Sequence, residues 1–259
     1  MKKHVLYFAA AVVGLSLIGG PRLMESVQAA APPAVVFQAA GPSVASIQSM
    51  VDAFRTALGN PNGNAIGPLA SGRREINWDG GNPANVTTSP GGTPFDVFLV
   101  TRGARFTTAG TGFVQAPPSG LATTFNNATY STIFQPFSPS RMFSPVGSNV
   151  TNGLFFIPGG GEIPALTNGF GAVFSDVDEG TSTTIQFFGP NGTLLLTKQV
   201  PASAGSASMS FLGVKFDSAL VASVRITAGR VAPGPNDTPD RDIVMMDDFI
   251  YGEPKQAQQ

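Results

Sequence analysis

After Arg73 the apolar residues lose helical spacing and gather into short runs set apart by Gly, Pro, Asn and Ser. That is the pattern of strands joined by turns. Residues 75–78, 95–100 and 153–157 read as strands, the last closed by Pro158, Gly159, Gly160 and Gly161. Runs 183–188 and 193–200 flank Gly189-Pro190-Asn191-Gly192, a hairpin signal, because Pro and Gly supply the fixed and the positive φ of a tight turn. Runs 208–216, 221–227 and 243–251 follow. No helical segment separates them, so the sheets are expected to be antiparallel. The reading is all-β: an antiparallel two-sheet jelly-roll-like β-sandwich over residues 73–254, then a polar tail, 255–259. Residues 115–149 carry Phe125, Tyr130, Phe134, Phe137 and Phe143 without a period and are expected to be long loops anchored by their rings.

Residues 30–72 read differently. Val44, Ile47, Val51, Phe54 and Leu58 recur at spacings of three and four, along one face of an amphipathic helix. Ser43 stands where a cap is wanted, and Gly59, Asn60 and Pro61 end the run. The polar face, with Gln48, Asp52 and Arg55, lacks the basic excess of a membrane-surface helix, so the stripe is expected to pack on the domain itself. A linker rich in Gly, Pro and Asn follows. Ahead of these elements, residues 1–29 have the form of a signal peptide: Lys2 and Lys3, an apolar run over 5–18, then Val27 and Ala29 before the cleavage point. Export follows, to the periplasm or beyond the cell, with no transmembrane segment after cleavage. Cleavage removes three cations and one anion, turning the net charge of −1 into −3 with no basic cluster. Nucleic acid is therefore not an expected partner.

The chain has no cysteine, and its one histidine, His4, lies in the leader. This removes Ser-His-Asp and Cys-His nucleophiles, histidine bases and His-ligated zinc or iron. Carboxylate chemistry, Lys or Tyr chemistry, hard-cation binding, or no chemistry at all remain.

Among the acids, Asp247 and Asp248 stand side by side in a strand whose faces are otherwise apolar. Alternation would send Ile243, Met245, Asp247, Phe249 and Tyr251 to one face and Val244, Met246, Asp248 and Ile250 to the other. A buried carboxylate needs a partner. Calcium is one solution, with Glu75, Asp79 and backbone carbonyls as further ligands. An ion pair with Arg73, Arg74 or Arg225, or backbone N–H donors, is the other. Asp176, Asp178 and Glu179, and Asn236, Asp237, Asp240 and Asp242, form two more acidic groups that read as solvated turns. Glu162 and Glu75 are the candidates for a glycosidase-like pair. Sugar stacking would fall to Trp78, Tyr130 and Tyr251.

The segments 72–80 (GRREINWDG), 169–178 (GFGAVFSDVD) and 244–254 (VMMDDFIYGEP) resemble an uncharacterised family of exported bacterial proteins, some of which carry a C-terminal PEP-CTERM sorting tail. The resemblance implies export and a compact β domain, and no activity. The Asp-Asp-Phe-Ile-Tyr run is also similar to the last strand of calcium-bearing jelly-roll carbohydrate-binding modules, where an acidic residue meets the first strand around a structural calcium. Three functions stay open: a non-catalytic exported module that binds a glycan or cell-surface component, with calcium as a stabilising ion; a carboxylate-dependent polysaccharide hydrolase or lyase; and a structural envelope or matrix protein.

Overall fold

The apolar runs pair into two antiparallel sheets. The structure is a computed structural model and describes residues 32–80, 92–236 and 241–257; the expected leader, 1–29, lies outside them. In chain order the elements are β1 (Ala34–Gly41), α1 (Val44–Leu58), β2 (Arg73–Ile76), α2 (Leu99–Arg102), β3 (Ala104–Thr107) and β4 (Gly112–Ala116). Then come α3 (Pro118–Thr124), α4 (Tyr130–Ile133), β5 (Met142–Val146), β6 (Val150–Phe155), β7 (Gly169–Ser175) and β8 (Thr184–Phe188). A 3-10 turn at Pro190–Gly192 leads to β9 (Leu194–Gln199), β10 (Met209–Phe216), β11 (Ser223–Thr227) and β12 (Met245–Gly252).

One sheet has the order β1-β10-β7-β12-β5-β4, with β2 also on β12; the other has the order β3-β6-β11-β8-β9. Together they make the antiparallel, jelly-roll-like sandwich with its N-terminal amphipathic helix. The core between the sheets is aromatic. Trp78 stacks on Phe143 with centroids 3.7 Å apart, and Phe249 and Phe98 meet its ring edge-on, arrangements that suit the ring quadrupoles.

Helix α1 covers the outer face of the first sheet through Ile47, Val51, Phe54 and Leu58, against Val173, Met209, Phe211 and Ile250. Two glycines make room for it. Gly171 of β7 and Gly213 of β10 are register partners, and a Cβ on either would lie under 3 Å from the Phe54 ring. Ser43 occupies the N-cap position with extended backbone, but its hydroxyl lies 3.2 Å from Ser46 Oγ rather than capping a backbone N–H.

Three expectations change. Residues 30–72 hold more than a helix and a linker, because β1 pairs with β10 as an edge strand of the sandwich; its Ala- and Gly-bearing sequence lacks a strong strand signature. Residues 95–100 are not a strand. Phe95 makes one bridge to Phe106, and the chain then turns into α2, since a short apolar run does not distinguish helix from strand. Residues 115–149 contain the end of β4, then α3, α4 and β5, and Phe125, Tyr130 and Phe134 anchor a second small core with Leu121 and Met142.

Candidate functional site: a charged cleft at the bulge of the last strand

Strand β12 pairs with β7 at Met246, opposite Phe174, and again at Phe249, opposite Ala172. Three steps on β12 therefore match two on β7, which makes Asp247 and Asp248 a β-bulge. The other neighbour of β12 changes at the same place, from β5 at Met246 to β2 at Phe249. The bulge resets the alternation. Val244, Met246, Phe249 and Tyr251 all belong to the core between the sheets, whereas Met245 and Ile250 pack in outer clusters. The two faces expected from strict alternation are thus wrong beyond Met246. Asp247 and Asp248 are not on opposite sides either, because both approach the Ser138 hydroxyl, at 3.5 and 2.6 Å.

Asp247 is fully buried. Its Oδ2 accepts backbone N–H bonds from Phe137 at 2.6 Å and Ser138 at 3.3 Å, and its own carbonyl accepts the Trp78 indole N–H at 3.2 Å. Burial pushes its carboxyl well above the usual carboxylate range, the neighbouring Asp248 adds to the rise, and the two backbone donors only partly oppose it. Asp248 is also raised, first by burial, against the opposing pull of Ser138 and Arg55; a hydrogen bond with Asp247 links the two side chains. Of the two, Asp248 is the one whose charged form Ser138 and Arg55 support. Its Oδ2 accepts from Arg55 Nη2 at 2.9 Å.

Arg55 lies on α1 beside the buried Phe54 and reaches two carboxylates at once, since the same nitrogen donates to Glu75 Oε2 at 2.9 Å. Burial works against its charge, but Glu75 and Asp248 outweigh that and hold its pKa above the ordinary value. The guanidinium also lies over the Phe137 ring, 5.9 Å from the centroid. On β2, alternation turns Arg73 and Glu75 to one side, where Arg73 Nε meets Glu75 Oε1 at 2.5 Å. It sends Arg74 the other way, into a fully buried pair with Glu253. Asp79 stands just beyond. Its Oδ1 accepts the backbone N–H groups of Ser140 and Arg141, each at 2.8 Å.

These residues border an open cleft of about 490 Å³, walled by Arg55, Arg73, Glu75, Asn77, Arg102, Ser138 and Asp248. All four acids assigned to calcium thus gather around Ser138, Arg55 and the 137–141 backbone: Asp79, Asp247 and Asp248 each bring an oxygen within 3.5 Å of the Ser138 hydroxyl, while Glu75 is held by Arg55 and Arg73. Where Asp248 and Glu75 converge, Arg55 Nη2 fills the position a hard cation would need. Among the described residues no group of three or more acidic side chains is arranged to hold a metal, and the charge set against Asp248 and Glu75 is the Arg55 guanidinium. The arginine is not one of the three anticipated. Arg73 binds Glu75, Arg74 binds Glu253, and Arg225 donates to Asn152 at 3.0 Å on the other sheet.

The remaining candidates lie elsewhere. Glu162 pairs with Arg105 at the surface, beside Asp96, and does not face Glu75 across the cleft. Asp178 accepts the Gly205 N–H, Glu179 pairs with Arg230, and Asp242 is buried against Ser182, where desolvation raises its carboxyl. Asp237 and Asp240 lie outside the described residues. Trp78, Tyr130 and Tyr251 are fully buried and offer no stacking face. Sequence reading missed Arg55, Arg102, Asn77 and Ser138. Only Arg55 carried a signal, as a cation on the polar edge of an amphipathic helix. No helix among the described residues is long and apolar enough to cross a membrane. No family model matches the chain, and neither a curated protein nor a solved structure shows a significant match to it.

Proposed function

We propose that this protein is a non-catalytic exported β-sandwich module that binds a polyhydroxylated ligand, a glycan or another cell-surface component, in the cleft at the β12 bulge. The observation that carries this reading is the wall of the cleft. It presents carboxylate, amide, hydroxyl and guanidinium groups held in place by bonds to one another and to the backbone, the preorganised polar surface that hydroxyl groups require. A binding role suits the acids better than a hydrolytic one. Glycoside hydrolysis needs two carboxyl groups facing each other across open space for the sugar, and here Arg55 stands between Glu75 and Asp248, bonded to both. The test is an array of neutral and acidic glycans probed with the purified mature protein and with Asn77→Ala, an exposed side chain in the wall. Binding to a defined set of glycans, weakened in the variant, is the expected result. No binding to any glycan, or cleavage of one, overturns the reading.

A further inference from the structure

Three guanidiniums and two carboxylates line the cleft. Arg55 is paired with Glu75, Asp248 and, outside the wall, Asp52, and Arg73 is paired with Glu75. That leaves Arg102, which makes no salt bridge with a described carboxylate. Its Nε donates to Asn64 Oδ1 at 2.6 Å and its Nη1 to the backbone carbonyl of Glu75. Its Nη2 makes no hydrogen bond to a described residue.

The fold places this side chain deliberately. Arg102 ends α2, and Gly103 follows in the left-handed region at φ 65°. A Cβ on Gly103 would also collide with the Phe156 carbonyl, so the turn requires glycine. Tyr251 of β12 donates its hydroxyl to the Arg102 carbonyl at 3.0 Å. Backbone and stem are thereby fixed, and Nη2 is left at the wall. Half-burial depresses the pKa of Arg102 and outweighs the favourable effects of Tyr251 and Glu75, with Arg74 adding repulsion. A guanidinium taken partly out of water without a salt-bridge partner is left with a desolvation cost that an incoming anion would relieve.

Resting on the binding role proposed above, we infer that the cleft selects an acidic saccharide, with Arg102 as the specificity residue that binds the anionic group of the ligand. Arg55 and Arg73 add to the positive field but are committed to protein carboxylates. Asn77 and Ser138 are left for the sugar hydroxyls. The anion is a uronate carboxylate or a sulfate ester, which present the same charge to Nη2.

The experiment is calorimetric titration of the full mature chain with three probes: an oligo-uronate, a sulfated dextran oligosaccharide and a neutral dextran oligosaccharide. At least one acidic probe should bind about tenfold or more tighter than the neutral one, the size expected of one charge-assisted hydrogen bond. Its affinity should fall as ionic strength rises. Arg102→Gln should abolish the preference of the acidic over the neutral probe, whereas Arg102→Lys should retain part of it. The stronger of the two acidic probes identifies the anion. Equal binding of acidic and neutral probes overturns the inference while leaving the binding role intact. A preference that survives Arg102→Gln also overturns it. Loss of all binding by the wild type overturns the binding role itself. Should Arg102→Gln fail to fold, the salt dependence of the wild type decides, and a salt-insensitive preference refutes the assignment.

Discussion

Replacing Glu253 by Gln should destabilise the protein more than any other conservative change near the cleft. Both side chains of the Arg74–Glu253 pair are 0% exposed. The carboxylate accepts four hydrogen bonds: Oε2 from Arg74 Nε at 2.6 Å and Asn62 Nδ2 at 2.7 Å, Oε1 from Arg74 Nη2 at 2.7 Å and the Leu69 N–H at 3.0 Å. Glutamine keeps the shape but removes the charge. Whichever oxygen becomes NH2, it then points a donor at two donors. Arg74 stays buried without its counter-charge, held by the one oxygen the amide retains and by the carbonyls of Gly63, Ala65 and Thr101. Breaking one side of a buried pair costs about 3 to 5 kcal/mol. For a domain of this size each kcal/mol moves the melting temperature by about 2 to 4 °C, so the variant should melt roughly 6 to 20 °C lower. Thermal unfolding followed by circular dichroism measures this. Arg74→Met with Glu253→Leu should recover a large part of the loss, since the remaining partner is no longer stranded. A fall of less than about 2 °C would refute the reasoning, because it would mean that Arg74 finds water where the structure shows none of its surface exposed.

Two further predictions concern the bulge. The folded pKa of Asp247 lies well above the unfolded value of 3.8, so its contribution is complete below that value and is lost as pH rises toward the folded pKa. Asp247→Asn should flatten this decline and leave the protein at least as stable as wild type at neutral pH, as read from melting temperature against pH; a variant that melts well below wild type at neutral pH would count against it. Arg55→Met should lower stability by about 1 to 3 kcal/mol in urea unfolding, the cost of stranding hydrogen bonds to a buried charged group, while a calcium chelator should leave the wild-type melting curve unchanged. A chelator-sensitive curve would show that a cation, not Arg55, neutralises the acids.

The sandwich was legible because strand pairing follows local pattern. The 189–192 turn, for example, places Asn191 and Gly192 at positive φ between β8 and β9, as its Pro-Asn-Gly composition implies. The site was only half legible. Glu75, Asp79, Asp247 and Asp248 could be named, since carboxylates in apolar strands announce themselves by their desolvation cost. Their partners could not. Arg55 and Asp248 are 193 residues apart in the chain, and nothing local connects a helix cation with a strand acid. Arg102 was hidden for another reason: run 95–100 reads as a strand, and a strand would not have ended in the Gly103 turn that aims the arginine.

The bulge itself has a physical cause that the sequence does contain. Two adjacent carboxylates in a regular strand point to opposite faces, and β12 is covered on both. One of them would enter the core between the sheets, among Trp78, Phe143 and Phe249, where no donor could meet it. Inserting one extra residue opposite β7 sends both to the side where Ser138, Arg55 and the 137–138 N–H groups wait, and returns Phe249 and Tyr251 to the core. The alternation rule therefore failed at the position where obeying it would have cost the most. An adjacent pair of acids inside a strand apolar on both faces is better read as the mark of a bulge than as two separate buried charges.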